Sequence, residues 1–195
     1  MTTFTYNTSD IVSRLERLLP NGLFEHCHRV SSIAADLGPR FGCAKNVSEL
    51  TAWVHDVCRH ERGERLISLA RDFGIPVTPL DERAPVLLHG PVGAELLRRE
   101  WGIIDADILN AVWWHTTGRK GMSLLERVLF LSDKLDPAKD KGYSQNGRVR
   151  IMAQSDLNGG LLEWMSAQVG YQLSHGEPIH PSLIDARNSL IIERG

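Results

Sequence analysis

The chain has 195 residues, of which 42% are apolar and 24% charged, with a net charge of −2. That length can bury one substantial core and favours a single domain over residues 1–195. A near-neutral balance without long runs of either sign argues against a nucleic-acid or membrane partner for the chain as a whole.

The N-terminal stretch MTTFTYNTSDIVSRL has neither a basic head nor an apolar run, so no signal peptide is expected. No apolar run reaches the roughly 18 residues of a spanning helix. Cys27, Cys43 and Cys58 form no CxxC pair and no even framework, which fits reduced thiols in a cytoplasmic protein.

Helical periods follow one another along the chain. Asn21-Gly22 opens a segment with Phe24, Val30, Ile33, Ala34 and Leu37 on one stripe, ending at Gly38-Pro39. Asn46 and Glu49 have capping-box spacing before Leu50, Trp53, Val54 and Val57. Glu61 to Phe73 is helical and closed by Gly74; Ile75 to Pro85, with three prolines, is expected to be a loop. Pro91 suits the first position of the next helix. Asp105 can cap Ile108 to Trp114, and Ser123 with Glu126 forms a second capping box before Leu124 to Leu131. Lys134 to Gly147 is polar and irregular. Two or three more helices complete the chain, the last opened by Pro181. The expected fold is all-α: a helical bundle with a core over about 22–140 and C-terminal helices over 147–194.

Six side chains stand out on this map: His26, His55, Asp56, His89, His115 and Asp133. Imidazole and carboxylate are the ligands of hard-to-borderline divalent metals. Six are too many for one closed tetrahedral site and suit two adjacent ions. Five fall at or beside predicted helix ends, and a bundle can aim such ends into one pocket. Consecutive helical residues diverge by about 100°, so His55 and Asp56 cannot act as parallel ligands. They can flank a two-metal centre with Asp56 between the ions. Any one of these residues alone would more readily be a surface or core residue. Cys58 is close to Asp56, but a thiolate is too soft for this set, and His28 and His60 stay outside the ordered series.

The surroundings suggest an anionic ligand. His89-Gly90-Pro91-Val92-Gly93 reads as a flexible turn at a helix N-terminus, where free N–H groups favour phosphate. His115-Thr116-Thr117-Gly118-Arg119 offers hydroxyls and a guanidinium, again suited to an oxyanion. Lys134 to Arg150 holds five basic residues against two acidic. Arg29, one turn after His26, would add to a cationic rim.

These stretches carry a resemblance to a known family. FEHCHRV (24–30), AWVHDV (52–57), LLHGPVGAELL (87–97), WWHTTGRKGMSLLERVLFLSDKLDP (113–137) and IHPSLIDARN (179–188) make the chain similar to the HD-domain metal-dependent phosphohydrolases. The likeness is to their YqeK-type branch, the symmetrical bis(5'-nucleosyl)-tetraphosphatases. It implies an all-helical fold with one or two divalent ions, iron foremost, with manganese, cobalt or magnesium as alternatives. The implied reaction splits diadenosine tetraphosphate into two ADP. By motif position His26, His55, Asp56 and Asp133 would be the primary ligands. His89 and His115 would complete a second metal or contact the phosphates, and Asp56, His89 and His115 would serve catalysis. Arg29, Arg59, Thr117, Arg119 and Lys139 would grip the dinucleoside polyphosphate alongside the two histidines, and a homodimer is the assembly considered. The chain departs from the family in three places: Leu23 replaces an Arg, Lys139 replaces an Arg, and Val57-Cys58-Arg59-His60 follows the HD pair. Another nucleotide (guanosine tetraphosphate, a dNTP or a nucleoside monophosphate) or a non-enzymatic sensor are the alternatives. The sensor is disfavoured because structural sites are closed and thiolate-rich.

Overall fold

The computed structural model describes residues 6–142 and 146–194. Among them lie eleven α-helices and no strand: α1 (Thr8–Leu18), α2 (Asn21–Arg40), α3 (Lys45–Val54), α4 (Gly63–Asp72), α5 (Pro79–Arg83), α6 (His89–Glu100), α7 (Ala106–Trp114), α8 (Leu124–Lys134), α9 (Asn146–Ala153), α10 (Leu157–Ser174) and α11 (Pro181–Arg194). Short 3-10 turns at Pro85–Leu88 and Pro137–Gly142 lead into α6 and out of α8.

The architecture centres on α8. Its residues Val128 to Ser132 are buried all round, the pattern of a helix enclosed on every side. α2, α3, α7 and α10 surround it. Phe130 of α8 meets Trp164 of α10 edge-to-face, with ring centroids 5.5 Å apart, which ties the C-terminal helices to the centre. One hydrophobic core runs through these layers, from Leu15 to Leu190.

Two helix starts follow the cap chemistry of the sequence. Ser123 and Glu126 form a reciprocal capping box on α8, and Asp105 accepts from Asp107 and Ile108 N–H at the start of α7. Elsewhere expectation and structure differ. α3 begins at Lys45 with Ala44 before it and no side-chain cap, so Asn46 lies inside the helix. The proline-rich stretch is not all loop. Thr78 and Asp81 cap each other, with Pro79 in the first turn, and start α5. α6 opens at His89 instead of Pro91, because the 3-10 turn before it already brings the backbone into helical conformation.

Gly90 is not part of a flexible turn either. It is buried in α6, where an added Cβ would lie 2.7 Å from the Trp113 carbonyl oxygen and 3.0 Å from that of Val112. The absence of a side chain lets α6 and α7 touch backbone to backbone, and these two helices carry His89 and His115.

Candidate metal centre

The fold brings six side chains from five places in the chain together. His26 comes from the middle of α2, His55 and Asp56 from the turn after α3, His89 from the first residue of α6, His115 from just past α7 and Asp133 from the last turn of α8. All six are buried.

Local hydrogen bonds fix the tautomer of each imidazole. Nδ1 of His55 lies 2.6 Å from the Ala52 carbonyl and Nδ1 of His115 lies 2.7 Å from that of Val112; His89 makes the same contact with Val86 O. Each is a bond to the carbonyl three residues back at a helix end. Nδ1 of His26 lies 2.6 Å from Oδ2 of Asp136. These oxygens can only accept, so Nδ1 carries the proton in all four rings and Nε2 presents a lone pair.

The lone pairs converge. Nε2 of His26 is 3.1 Å from Asp133 Oδ1 and 3.6 Å from Asp56 Oδ2; Nε2 of His55 is 3.7 Å and 3.5 Å from the same two oxygens. On the other side of Asp56, Oδ1 lies 3.0 Å from His89 Nε2 and 3.3 Å from His115 Nε2, and these nitrogens are 2.9 Å apart. Bonds of about 2.0–2.2 Å to a shared ion would separate neighbouring ligand atoms by roughly 3.0–3.5 Å. The donor set therefore fits two cation positions, with the carboxylate of Asp56 facing both. Further signs agree. Nε2 of His26 and His55 are buried without a hydrogen-bond partner, and two lone pairs facing each other at His89 and His115 repel unless a cation lies between them.

The electrostatics suit metal binding, which requires neutral imidazole and ionised carboxylate. Burial lowers His115 to about 4, against the opposing pull of the Asp56 carboxylate. Burial resists ionisation of Asp56, but the imidazoles of His55, His115 and His89 packed around its carboxylate hold it well below the usual carboxylate range. Asp133 is held low against its burial chiefly by Lys134 and Lys139, whose ammonium groups lie 2.7 Å and 2.5 Å from its two oxygens.

Asp136 is a site residue that the sequence did not single out. Its carboxylate, nearly inaccessible, joins His26 to Arg29, with Arg29 Nε at 2.7 Å and Nη2 at 3.0 Å. Burial works against its ionisation, yet Arg29 and His26 hold it at about 2. Such partners orient metal ligands, and their loss typically costs about 10–100-fold in metal affinity. Asp136→Asn should therefore weaken metal binding by about that factor, read by competition with a coloured chelator. Unchanged affinity would show that His26 needs no such support.

A cavity of about 750 Å³ opens onto the ligands, within the range of small-molecule sites. Arg59, Thr117 and Lys139 line it, as do Arg83, Lys134 and Thr116, whose buried hydroxyl has no partner. Arg29 and Arg119, expected on the phosphates, are not among its lining residues. Arg29 is engaged with Asp136. Arg119 is held by Glu126 through Nη2 at 2.7 Å and Nε at 3.0 Å, so the HTTGR guanidinium neutralises a buried helix-capping carboxylate. Cys58 is not in the cluster: burial pushes its thiol up to about 12, and it packs in the core. His28 stacks on Trp53, away from the ligands.

Comparison with known proteins agrees with this geometry. Residues 23–138 match the HD domain family. The chain is 30% identical to the Bacillus subtilis symmetrical bis(5'-nucleosyl)-tetraphosphatase over 95% of this chain and 98% of the relative. It is 32% identical to the protein of that name from Halalkalibacterium halodurans, over 88% and 90% of the two chains. A Clostridium acetobutylicum crystal structure, described as a predicted HD superfamily hydrolase involved in NAD metabolism, superposes with a TM-score of 0.90. It is 29% identical and covers 97% of this chain and 100% of its own. The chain belongs to the HD-domain family and, within it, to the YqeK-type branch of phosphohydrolases.

Proposed function

We propose that this protein hydrolyses diadenosine tetraphosphate symmetrically, releasing two ADP. The observation that carries the reading is the carboxylate of Asp56 facing two converging imidazole sets beneath a cation-lined cavity. The full-length likeness to relatives named for this activity supports the substrate.

His26, His55, Asp56 and Asp133 would hold one divalent ion, and Asp56, His89 and His115 a second. Bound there, the ions would acidify a water towards neutrality and offset phosphate charge. Iron is the ion that the family resemblance implies, with manganese, cobalt or magnesium as alternatives, and the mixed imidazole and carboxylate set is compatible with it. Water attacks one of the two inner phosphorus atoms, the central bridging P–O bond breaks, and ADP departs as an anion. The substrate's negative charge meets Arg59, Arg83, Lys134 and Lys139 on the cavity wall. Fixed cations placed before the reaction need no reorganisation as charge shifts to the leaving group. Three unpaired cysteines fit action in the cytoplasm.

Lys139 separates charge from geometry, because a lysine offers one compact ammonium instead of a planar fork. Lys139→Ala should raise KM about tenfold, for one lost charge-assisted contact of roughly 1.5 kcal/mol. Lys139→Arg should match the parent. An unchanged KM for the alanine variant at low salt would move the phosphate grip to Arg59 and Arg83.

The experiment for the function is a nucleotide panel on purified protein, with metal content measured on the same sample. Diadenosine tetraphosphate should be turned over far faster than guanosine tetraphosphate, dNTPs or nucleoside monophosphates. Preference for one of those would reject the reading.

A further inference from the structure

Helix α10 presents Trp164, Gln168 and Gln172 at four-residue intervals, and all three line the cavity that reaches Asp56 and Asp133. Trp164 marks the metal end of this stripe. It packs on Phe130, with the Lys134 ammonium 5.6 Å from its ring centre, and the same ammonium lies 2.7 Å from Asp133. Gln172 lies two turns along α10, roughly 12 Å away, a separation on the scale of a nucleoside.

The amide oxygens of Gln168 and Gln172 are both buried, and neither has a hydrogen-bond partner. For Gln172 the amide is oriented, since Nε2 donates to the Pro178 carbonyl at 3.2 Å; the group left over is an acceptor. Buried acceptors without donors are costly and rare. Two of them one turn apart on a cavity wall call for a ligand that brings N–H hydrogens. Leu87, Pro178 and Leu183 line the same cavity, and such apolar surfaces suit a flat ring.

We propose that Gln168 and Gln172 form the base-recognition subsite, accepting the two hydrogens of the adenine 6-amino group while the purine packs against Leu87, Pro178 and Leu183. This rests on the reading of the substrate as an adenosine polyphosphate. It adds the residues that would select the base. A 6-oxo purine would turn a carbonyl oxygen towards the Gln172 acceptor, whose amide is fixed by Pro178, and a site built for a donor rejects ligands that lack it.

The unaltered protein provides the first test, by comparing diadenosine tetraphosphate with diinosine tetraphosphate. The inosine compound should show a kcat/KM lower by about tenfold or more, and equal values would overturn the proposal. Gln168→Met and Gln172→Met keep the side-chain length and remove the acceptor. Each should lower kcat/KM for the adenosine substrate about tenfold and leave the inosine substrate nearly unchanged, with metal content intact. Equal losses on both substrates would mean that the glutamines support the helix and not the base. If neither dinucleotide is cleaved, the proposed function fails, but calorimetry with ADP and IDP still decides the subsite: tighter ADP supports it and equal affinity overturns it.

Discussion

Asp56→Ala should reduce hydrolysis by on the order of a thousandfold or more while leaving the helices in place. Asp56 supplies no packing to the core. Its two oxygens face separate pairs of imidazole nitrogens, at 3.0 and 3.3 Å on one side and 3.5 and 3.6 Å on the other. Its loss should weaken retention of both ions, so metal per chain should fall with activity while the circular dichroism spectrum stays that of the parent. An Asp56→Ala protein that keeps activity within a few-fold of the parent would refute the two-ion arrangement.

Gly90→Ala tests the same centre without touching a ligand. Alanine normally gains up to about 1 kcal/mol over glycine in a helix, so intrinsic propensity favours the substitution. Here the new methyl would sit 2.7 Å from the Trp113 carbonyl oxygen and 3.0 Å from that of Val112. These are backbone atoms that can yield only if α6 and α7 separate. Overpacking of this kind costs about 1–3 kcal/mol, which outweighs the propensity gain and should lower Tm by several degrees. The catalytic effect should be larger. Val112 O holds His115 and α6 begins with His89, so separating the helices pulls the two imidazoles apart. A misplacement near 1 Å can cost about a hundredfold in rate. Gly22→Ala, in α2 with nothing within 4 Å of the added carbon, is the control and should hold or slightly raise Tm and leave the rate unchanged. If Gly90→Ala behaves like that control, the helix contact does not set the geometry of the site.

What could be read from the sequence was what depends on residue type and short spacing. Ser123 with Glu126 and Asp105 with Ile108 cap their helices because a cap bond spans only two or three residues. The six metal-ligand candidates showed themselves by chemistry and order. Asn46 with Glu49 has the same spacing as a true capping box, but α3 starts at Lys45, two residues too early for Asn46 to cap it. The Thr78 and Asp81 cap obeys the same rule and was hidden by its prolines. Long-range partners were not legible. Nothing local links Asp136 to Arg29, 107 positions away, or shows that Gly90 serves a neighbouring backbone. The HTTGR run suggests an anion-binding Arg119, and nothing in its spacing shows that its guanidinium pairs with Glu126. That carboxylate receives both the Ser123 N–H at 2.9 Å and the Arg119 guanidinium.

The central claim is that the cavity directs cleavage to the middle of a dinucleoside tetraphosphate at an imidazole and carboxylate metal centre. Its most direct test is chromatography of the products from diadenosine tetraphosphate, with the protein as purified and again after chelation. The metal-loaded protein should give ADP as the single nucleotide product, with no turnover after the metal is removed. ATP and AMP in equal amounts, or undiminished activity in the stripped protein, would contradict it.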